Sequence, residues 1–328
     1  MKLPRRQFLH LAAGAAALPA VSRIAKAQTY PTRPVRVIVT FAPGSGADSI
    51  ARLIAQKLSE SIGTQFYVEN IVGAGGNIGM GRAAQAAPDG YTVLIVPINC
   101  VINPTLYNNK IPYDPIKSFD PVTLAATANV MLIVNPDLSV RTVNDLVALI
   151  KANPGKFSYA SGGGIGSPGH LVGEQFRLSL GLDLVHVPFN GANLAVSATL
   201  AGHTPICFII PTAAVPLVRE GKLRALAGTG KTRLQLLPDV PTMAEAGYPD
   251  IEGENWYGLS VPSGTPRQII TLLNRETVKI VNLPDTKARI ATIGFETVGS
   301  TPAEFAQLIK VELDRWRKVI RTANIRAE

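Results

Sequence analysis

The chain has 328 residues, of which 46% are hydrophobic and 17% charged, so it is long enough for a large core and more than one domain. Its formal net charge of +9 falls to +4 without residues 1–27, because that segment holds five Lys and Arg and no Asp or Glu. The rest has no run of Lys and Arg interleaved with aromatic residues and no apolar stretch of about 18 residues, which argues against a nucleic-acid partner and a membrane span.

The first 27 residues follow the pattern of an export signal. A basic start at Lys2, Arg5 and Arg6 precedes an apolar stretch over 8–21, and a small-x-small cleavage site ends at Ala27. The apolar stretch is too short to span a bilayer comfortably, which disfavours a membrane anchor. We expect cleavage after Ala27 and a periplasmic mature protein. The arginine pair resembles a twin-arginine export signal, and the general secretory route stays open as the alternative.

The chain after Gln28 alternates short β-rich runs with amphipathic helices, which indicates an α/β fold with mostly parallel sheets. In the first half we predict strands over 35–40, 66–69 and 91–97 and helices over 49–61 and 79–87. A Pro- and Asp-rich stretch over 103–121 follows. The apolar run 122–134 is extended enough to cross into a second lobe.

A second α/β series begins at residue 143. We predict helices over 143–153, 171–180 and 193–201 and strands over 157–160, 184–188 and 206–210. The run 223–230 is predicted to return to the first lobe. A loop-rich section over 238–266 then precedes helices over 267–281 and 302–323. These elements place residues 28–127 and 228–328 in lobe one and residues 128–227 in lobe two.

Two glycine-rich loops each follow a β-rich run and open a helix. Loop 1 is FAPGSGAD, residues 41–48, and loop 2 is SGGGIGSPGH, residues 161–170. Glycines let backbone N–H groups turn toward a ligand, and a helix N-terminus adds about half a positive charge. Facing loops would form a cleft for a small anion with a negative group at either end. We expect ligand contacts from Pro43, Gly44, Ser45, Gly46, Ala47, Asp48, Ser161, Gly164, Ile165, Gly166 and Ser167.

Individual residues of these loops have structural alternatives. Asp48 either caps its helix or orients a bridging water, and because a carboxylate beside an anion site would repel the ligand we expect it to face the backbone. Residues 164–169 match the dinucleotide fingerprint G-x-G-x-x-G, but they lie mid-chain and no acid ends the next strand. Ser167 and Pro168 instead form an N-cap followed by proline at the first helical position. We expect His170 to be a hydrogen-bonded structural residue.

Further polar and aromatic residues follow the predicted strands. Asn99 and Asn103 lie near the expected cleft mouth, where either could hydrogen-bond the ligand. The glycine cluster over 72–79 either lines the rim of lobe one or lets a loop pack tightly, and we favour the structural role. Trp256 and Tyr257 either pack in the core or form a wall of the cleft.

Little in the chain supports catalysis, a metal or a cofactor. Ser167 and His170 are a weak nucleophile–base pair, because Ile165 stands where a nucleophile elbow needs glycine and nothing nominates a third group. The histidines are isolated from one another in sequence and show no metal-ligand spacing. Cys100 and Cys207 are either a disulfide or, as we favour, two buried free thiols.

Several motifs together resemble the Bug (Bordetella uptake gene) or TctC family, the extracytoplasmic solute receptors of tripartite tricarboxylate transporters. They extend from YPTRPVRVIVTFAPGSGADSIARLIAQKL through VENIVGAGGNIG, APDGYTVL and NPTLY to GHLVGEQF and LVHVPFNG. LPDVPTMAEAG, GTPRQIITLLNRE and TPAEFAQLIKVELDRWRKVIRTANI complete the match, which covers essentially the whole chain after the signal. Any one motif is weak, whereas their joint presence is specific.

The resemblance implies a two-lobed periplasmic binding protein of type II that closes like a flytrap, with the cleft between its lobes. It implies a small carboxylate ligand held by the two glycine loops, often through ordered water. Three departures stand out: Asn190 where relatives often have Lys, Ala198 where many have Asp, and a loop 2 one residue longer than usual. In relatives an acid near the cleft can partner a ligand ammonium, so Ala198 favours a ligand without an amine.

These observations together predict a monomeric periplasmic receptor. It would capture a small carboxylate and deliver it to the membrane subunits of a tripartite tricarboxylate transporter, without catalysis and without a cofactor. The alternative is a receptor on the same scaffold that presents its ligand to a signalling protein. An enzyme on this scaffold is the least supported reading, since no catalytic constellation accompanies the export signal.

Overall fold

The computed structural model describes residues 30–327, so the predicted signal segment lies outside the described residues. The strands of this range are β1 (Val35–Val39), β2 (Phe66–Asn70), β3 (Thr92–Pro97), β4 (Phe119–Asn129), β5 (Met131–Val134), β6 (Phe157–Ser161), β7 (Leu184–Pro188), β8 (Ile206–Ile209), β9 (Arg224–Gly228), β10 (Glu254–Pro262) and β11 (Glu296–Thr297). Its helices are α1 (Gly46–Ile62), α2 (Asn77–Ala84), α3 (Asn99–Leu106), α4 (Val143–Ala152), α5 (Pro168–Leu180), α6 (Ala192–Leu200), α7 (Val215–Arg219), α8 (Arg267–Val281), α9 (Pro284–Thr292) and α10 (Pro302–Thr322).

The strands form two sheets. The first has the order β11-β4-β10-β3-β1-β2, and the second has the order β7-β6-β8-β5-β9. In the first sheet β1 runs parallel to β2 and β3, whereas β10 is antiparallel to both β3 and β4. In the second sheet β6 runs parallel to β7 and β8, whereas β5 is antiparallel to β8 and β9. The predicted α/β class is confirmed, but the expectation of mostly parallel sheets is wrong.

The antiparallel pairs have a common cause. Strands β4 and β5 follow one another with only Val130 between them, and each belongs to a different sheet. The chain therefore enters the second sheet without a crossover helix, and it comes back through β9 and β10 in the opposite direction. The predicted crossings near 122–134 and 223–230 coincide with these strands. The limits of the two lobes stay a prediction: residues 28–127 and 228–328 would move together as lobe one, and residues 128–227 as lobe two.

Thr229 joins the crossing segments. Its N–H donates to the carbonyl of Val130 at 2.8 Å, and its own carbonyl accepts the N–H of Gly253 at 3.1 Å. The Thr229 hydroxyl lies 2.9 Å from the Val130 carbonyl and within hydrogen-bond distance of the Gly253 carbonyl, and the residue is 1% exposed. The outgoing and returning chains are thus held together at one buried point between the sheets.

The helix that opens at loop 1 illustrates how local sequence sets the fold. Ser45 is the N-cap of α1, and its hydroxyl accepts the N–H of Asp48. Gly63 ends the helix in the left-handed conformation, with φ of 79°, where a side chain would be strained. The buried face carries Ile50, Ile54 and Leu58 at helical spacing and packs on the first sheet.

Helix α10 spans the two sheets. It begins with a capping box between Thr301 and Glu304 and contacts β4, α3 and α5. Trp316 lies fully buried at its centre, and its indole N–H donates to Glu312 at 2.8 Å. One buried apolar cluster continues beneath it from Trp256 in the first sheet to Tyr159 in the second. Among residues 30–327, no helix combines the length and the apolar character that a bilayer crossing demands.

Three elements depart from the sequence-based expectations. The section 238–266 was predicted to be loop-rich, but it contains β10, which lies between β4 and β3 in the first sheet. No helix is predicted in the Pro- and Asp-rich stretch 103–121, but its first residues belong to α3, which holds Pro104 in its interior. Helix α9 was not predicted at all.

Candidate functional site

Loop 1 presents two unpaired backbone donors at the start of α1. The N–H of Ser45 already donates to the Ala42 carbonyl at 3.2 Å, so it is not the ligand donor that the sequence suggested. Within residues 30–327, the N–H groups of Gly46 and Ala47 have no acceptor. Both belong to the first turn of a helix, where unpaired N–H groups and the macrodipole favour an anion. Pro43 and Gly44 are exposed beside them.

Asp48 holds this loop rather than facing outward. One carboxylate oxygen accepts the N–H of Gly44 and the Nε of Arg52, each at 2.9 Å, and the other accepts Nδ2 of Asn70 at 2.9 Å. Burial works to raise the pKa of Asp48, but these hydrogen bonds outweigh it and hold the pKa below its usual value. The carboxylate therefore stays charged and occupied, which agrees with the expectation that it faces the backbone.

Loop 2 has the same design at the start of α5. The Ser167 hydroxyl caps the helix by accepting the His170 N–H, and Pro168 occupies the first helical position. Gly164 and Gly166 have φ values of 72° and 78°, in the region that favours glycine. Among the described residues no acceptor meets the N–H groups of Gly163 and Ile165, which are exposed. These two groups are the free donors of loop 2.

Two predicted loop 2 residues lie deeper than expected. Ser161 is 0% exposed, and its hydroxyl lies 2.8 Å from Nε2 of His186. The N–H of Gly166 donates to Nδ1 of His170 at 3.0 Å, so it is not available to a ligand. Because of this bond Nδ1 of His170 carries no proton. Ser161 and Gly166 therefore hold loop 2 in place through hydrogen bonds to His186 and His170.

Two histidines that are isolated in sequence form a stacked pair beneath loop 2. The rings of His170 and His186 lie 3.8 Å apart and are inclined by only 8°. Tyr159 borders His186 on the neighbouring strand, with ring centroids 4.9 Å apart. The expectation that the histidines are isolated from one another is wrong, because the register of β6 and β7 joins segments that sequence spacing separates.

The stacked pair makes a pH dependence of stability predictable. Burial, reinforced by Arg177, lowers the pKa of His170 to about 4, and burial together with His170 lowers the pKa of His186 to about 3. In the unfolded chain both rings bind protons near pH 6.5. Between pH 6.5 and 4 the unfolded chain therefore binds more protons than the folded protein. We expect the free energy of unfolding to decrease as the pH is lowered through this range, by at most about 1.4 kcal/mol per pH unit for each histidine.

Urea unfolding at pH 7.5, 6.0 and 5.0 measures this slope. His186→Gln should make it shallower, since it removes one of the two titrating rings. His203→Gln, at an exposed histidine outside the stacked pair, is the matched control. An unaltered slope in the His186 variant would contradict the assignment.

Asn99 and Asn103 both belong to α3, which opens at the end of β3. Asn99 is its first residue and is half-buried. Asn103 is 1% exposed, and its Nδ2 donates to the Gly75 carbonyl at 3.0 Å and to Oδ1 of Asn77 at 2.7 Å. Asn103 thus fixes the glycine cluster over 72–79. This supports the structural role for that cluster, while ligand contact by Asn99 remains a prediction.

Contacts between segments of the two sheets flank the loops. A Cβ built on Gly166 would lie 2.6 Å from Cδ2 of Leu106, the last residue of α3. At the other side, a Cβ on Gly294 would lie 2.6 Å from Cγ2 of Thr212, which follows β8. Loop 2 therefore contacts the first lobe at the end of α3. The segment after β8 contacts the first lobe at Gly294, near loop 1.

An aromatic pair stands beside loop 1. Tyr257 stacks on Phe295 with ring centroids 5.2 Å apart, and both rings lie within 4 Å of the position that a Cβ on Gly46 would take. Trp256, its neighbour on β10, is 1% exposed and packs in the core. Of the two aromatic residues considered for the cleft, Tyr257 alone lies at loop 1.

The comparisons with known proteins agree with this geometry. Residues 50–325 match the family model described as "Tripartite tricarboxylate transporter family receptor". The chain belongs to this receptor family. The match begins just after loop 1, and it includes loop 2 and both crossings between the sheets.

Relatives of this receptor family cover nearly the whole chain. Protein BugT of Bordetella pertussis is 35% identical over 296 residues, which is 90% of this chain and 90% of BugT. Rpa4515 of R. palustris, solved with adipate, is 33% identical, with a TM-score of 0.75 over 90% of this chain and 98% of that one. MatC of Rhodopseudomonas palustris, solved with bound malate, is 31% identical, with a TM-score of 0.72 over 89% of this chain and 100% of MatC. The two-lobed periplasmic binding-protein fold is thereby confirmed.

Two departures from the receptor family's sequence pattern, Ala198 and Asn190, occupy different places in the structure. Ala198 lies in the second half of α6, and its carbonyl accepts the N–H groups of His203 and Thr204. It is six residues beyond the start of the helix, which is about 9 Å along the axis. The inference from Ala198 that the ligand lacks an amine stays a prediction. Asn190, by contrast, is exposed and lies beside Gly164 of loop 2.

The buried Ser161–His186 pair does not give this receptor a hydrolase site. A serine nucleophile needs access to substrate and a base that a third group orients. Ser161 has no exposed surface, and no carboxylate in residues 30–327 hydrogen-bonds to His186. The nominated pair, Ser167 and His170, is no better placed, because the His170 ring accepts the Gly166 N–H and leaves Ser167 to the helix cap.

The two cysteines are free and buried. Cys100 lies on α3 in the first lobe and Cys207 on β8 in the second. Burial raises the pKa of both thiols, that of Cys207 to about 12. Thiols in this state are poor nucleophiles. Of the two alternatives, the structure has free thiols.

Proposed function

We propose that this protein captures a small carboxylate between loop 1 and loop 2. One observation carries the proposal: loop 1 offers two unpaired N–H groups in the first turn of α1, loop 2 offers two in the turn that leads into α5, and the two loops follow strands of different sheets. A carboxylate accepts such donors well, and each helix N-terminus adds a favourable field of about 0.3–2 kcal/mol. No arginine clamp is needed, because ordered water and neutral side chains complete the hydrogen bonds.

The relatives narrow the class of ligand. Rpa4515 holds adipate and MatC holds malate, and both of these molecules carry a carboxylate at each end. A molecule with two negative ends matches a cleft with a helix N-terminus on either side. We therefore infer a dicarboxylate for this chain, with Gly46 and Ala47 facing one end and Gly163 and Ile165 facing the other. Asn190, beside Gly164, would contact the ligand from the rim of lobe two.

Thermal-shift measurements on purified protein test this proposal. Adipate, malate, monocarboxylates, tricarboxylates and amino acids are compared at equal ionic strength. Ligand at a hundredfold excess over the dissociation constant stabilises a protein by about 2.7 kcal/mol, which raises Tm by several degrees. We expect one or more dicarboxylates to do so. If only neutral compounds stabilise the protein, the anion-binding proposal fails, and if only monocarboxylates or amino acids do, the dicarboxylate inference fails.

The receptor would deliver its ligand to the membrane subunits of a tripartite tricarboxylate transporter. Family membership supports this role. Co-purification with the transporter's membrane subunits, with and without ligand, tests the partnership. Recovery of a signalling protein instead would favour the sensory alternative.

We expect the mature protein to begin at Gln28 in the periplasm. The basic start, the apolar stretch and the cleavage site at Ala27 support this, as does the match of the family to the chain from residue 50 onward. Mass spectrometry of the cell-envelope fraction should find the new N-terminus. Replacing Arg5 and Arg6 with Lys should block export by the twin-arginine route, whereas unchanged export would indicate the general secretory route. An intact Met1 as the only form in the cytoplasm would contradict the prediction.

A further inference from the structure

A second concave site lies away from both glycine loops. The C-terminal ends of α3 and α10 meet around a cavity of about 370 Å³. That volume falls within the usual range of small-molecule pockets, which is about 300–1,000 Å³. None of its lining residues belongs to loop 1 or loop 2. We call it the arginine pocket and define it by six of its lining residues, Asn108, Asn109, Arg317, Arg321, Asn324 and Arg326.

The charge of this pocket is one-sided. Three guanidinium groups line it, and none of the lining residues is Asp or Glu. Arg317 pairs with Asp314 at 2.9 Å, and its side chain keeps 41% of its surface exposed. For Arg321 and Arg326, no carboxylate of residues 30–327 lies within ion-pairing distance. Arginine is suited to oxyanions because its planar fork donates two parallel hydrogen bonds.

Three asparagines that end the two helices also line the arginine pocket. Asn108, Asn109 and Asn324 have φ values of 50°, 60° and 52°, in the left-handed region that residues other than glycine rarely adopt. Five such residues occur between residues 30 and 327, and three of them line this one cavity. Asparagine takes this conformation more readily than most residues, and here it ends α3 and α10, so these φ values reflect helix termination. The side-chain amides of the three asparagines add neutral hydrogen-bond donors to the guanidinium groups.

The helix ends do not cancel this positive charge. A helix C-terminus carries about half a negative charge on its unpaired carbonyls. In the last turn of α3, however, the Pro104 carbonyl accepts the Asn109 N–H at 2.7 Å, and the Leu106 carbonyl accepts the Ala327 N–H at 3.2 Å. The Asn103 carbonyl is likewise paired with the Tyr107 N–H. Because Arg317 is paired with Asp314, the guanidinium groups of Arg321 and Arg326 supply the net positive charge of the pocket.

We propose that the arginine pocket binds a small oxyanion carrying at least two negative charges, such as inorganic phosphate or citrate. The proposal is independent of the carboxylate site between the loops. A ligand of this class would bridge Arg321 and Arg326 and hydrogen-bond to the asparagine amides. It would also join the last turn of α3, whose Leu106 touches loop 2, to the end of α10.

Calorimetric titration of the full purified protein tests the proposal, with phosphate and citrate as probes and chloride at equal ionic strength as the reference. The double variant Arg321→Gln/Arg326→Gln should lose at least tenfold in affinity for both probes. The matched control is Arg82→Gln/Arg141→Gln, which removes the same charge from two exposed arginines elsewhere. Repeating the titration in a Gly46→Val background, in which binding at the loops is expected to be about 100-fold weaker, separates citrate bound at the loops from citrate bound in the pocket.

Three results would overturn the proposal. Wild-type protein could show no heat above the chloride reference. The control double variant could lose as much affinity as the pocket variant, which would indicate attraction by net charge alone. The pocket variant could bind the probes normally while losing thermal stability, which would assign the arginines to the helix ends. Arg321→Lys/Arg326→Lys keeps the charge without the fork, and we expect it to bind with intermediate affinity.

Discussion

Replacing Gly46 with Val should reduce affinity for the carboxylate on the order of 100-fold, which corresponds to about 2.7 kcal/mol. Gly46 supplies one of the two free N–H groups of loop 1, and the other belongs to the next residue. A Cβ at this position would lie 3.4 Å from Phe295 and 3.8 Å from Tyr257, which is close but tolerable contact. The γ-methyl groups of valine would then crowd the space in front of the two donors. Titration of the variant with the best carboxylate from the thermal-shift comparison measures the loss.

Gly46→Ala is the matched control for this experiment. It adds only the Cβ, so we expect a smaller loss of affinity and an unchanged fold by circular dichroism. Gly166→Val is a less clean test, because its positive φ and the nearby Leu106 side chain add strain unrelated to the ligand. Full affinity in Gly46→Val would show that the ligand is held elsewhere.

Esterification of the ligand should weaken binding to a similar extent. A methyl ester keeps the carbonyl oxygen but loses the negative charge that helix N-termini favour. We expect the dimethyl ester of the best dicarboxylate to bind at least about 100-fold more weakly than the acid. The monomethyl ester should fall between them, since one end still carries charge. Equal affinities for acid and diester would refute the account of anion recognition by loops 1 and 2.

The same ligand should also close the lobes. A ligand that contacts donors on both sheets binds the closed state more tightly and shifts the population toward it. Small-angle scattering with the acid should therefore show compaction, and the diester at the same concentration should not cause it. Equal compaction with the acid and the diester would show that lobe closure does not depend on binding of the carboxylate.

The parts of the fold that the sequence predicted well are those with local signals. Helix α8 was predicted to the residue, because Pro266 and Asn282 flank a clear amphipathic run. The predicted start of helix α1 is three residues late, because the sequence offers Asp48 as a good N-cap, whereas Ser45 caps the helix in the structure. Both glycine loops proved to open helices, as their position after β-rich runs indicated.

The elements that were missed lack local signals. Strand β10 is buried along most of its length, so it shows no alternation, and its glycine and asparagine are typical of loops. Only its pairing with β3 and β4, over 100 residues away in sequence for each, explains it. The stacked histidines depend on the register between β6 and β7 in the same way. The N–H groups that remain free in each loop could not be predicted, because they depend on which donors the loop uses internally.

The position of β10 has a consequence for the order in which the protein folds. Strands β3 and β4 both precede the second lobe in sequence, yet in the first sheet they meet only through β10, which follows it. On a growing chain, the first sheet therefore stays in two parts with unpaired edges until residue 262 has been made. Strands β5 to β9 are contiguous and can complete their sheet earlier. Hydrogen-exchange labelling of nascent chains should accordingly find β5, β6 and β8 protected before β4, both of whose partners, β10 and β11, are made later.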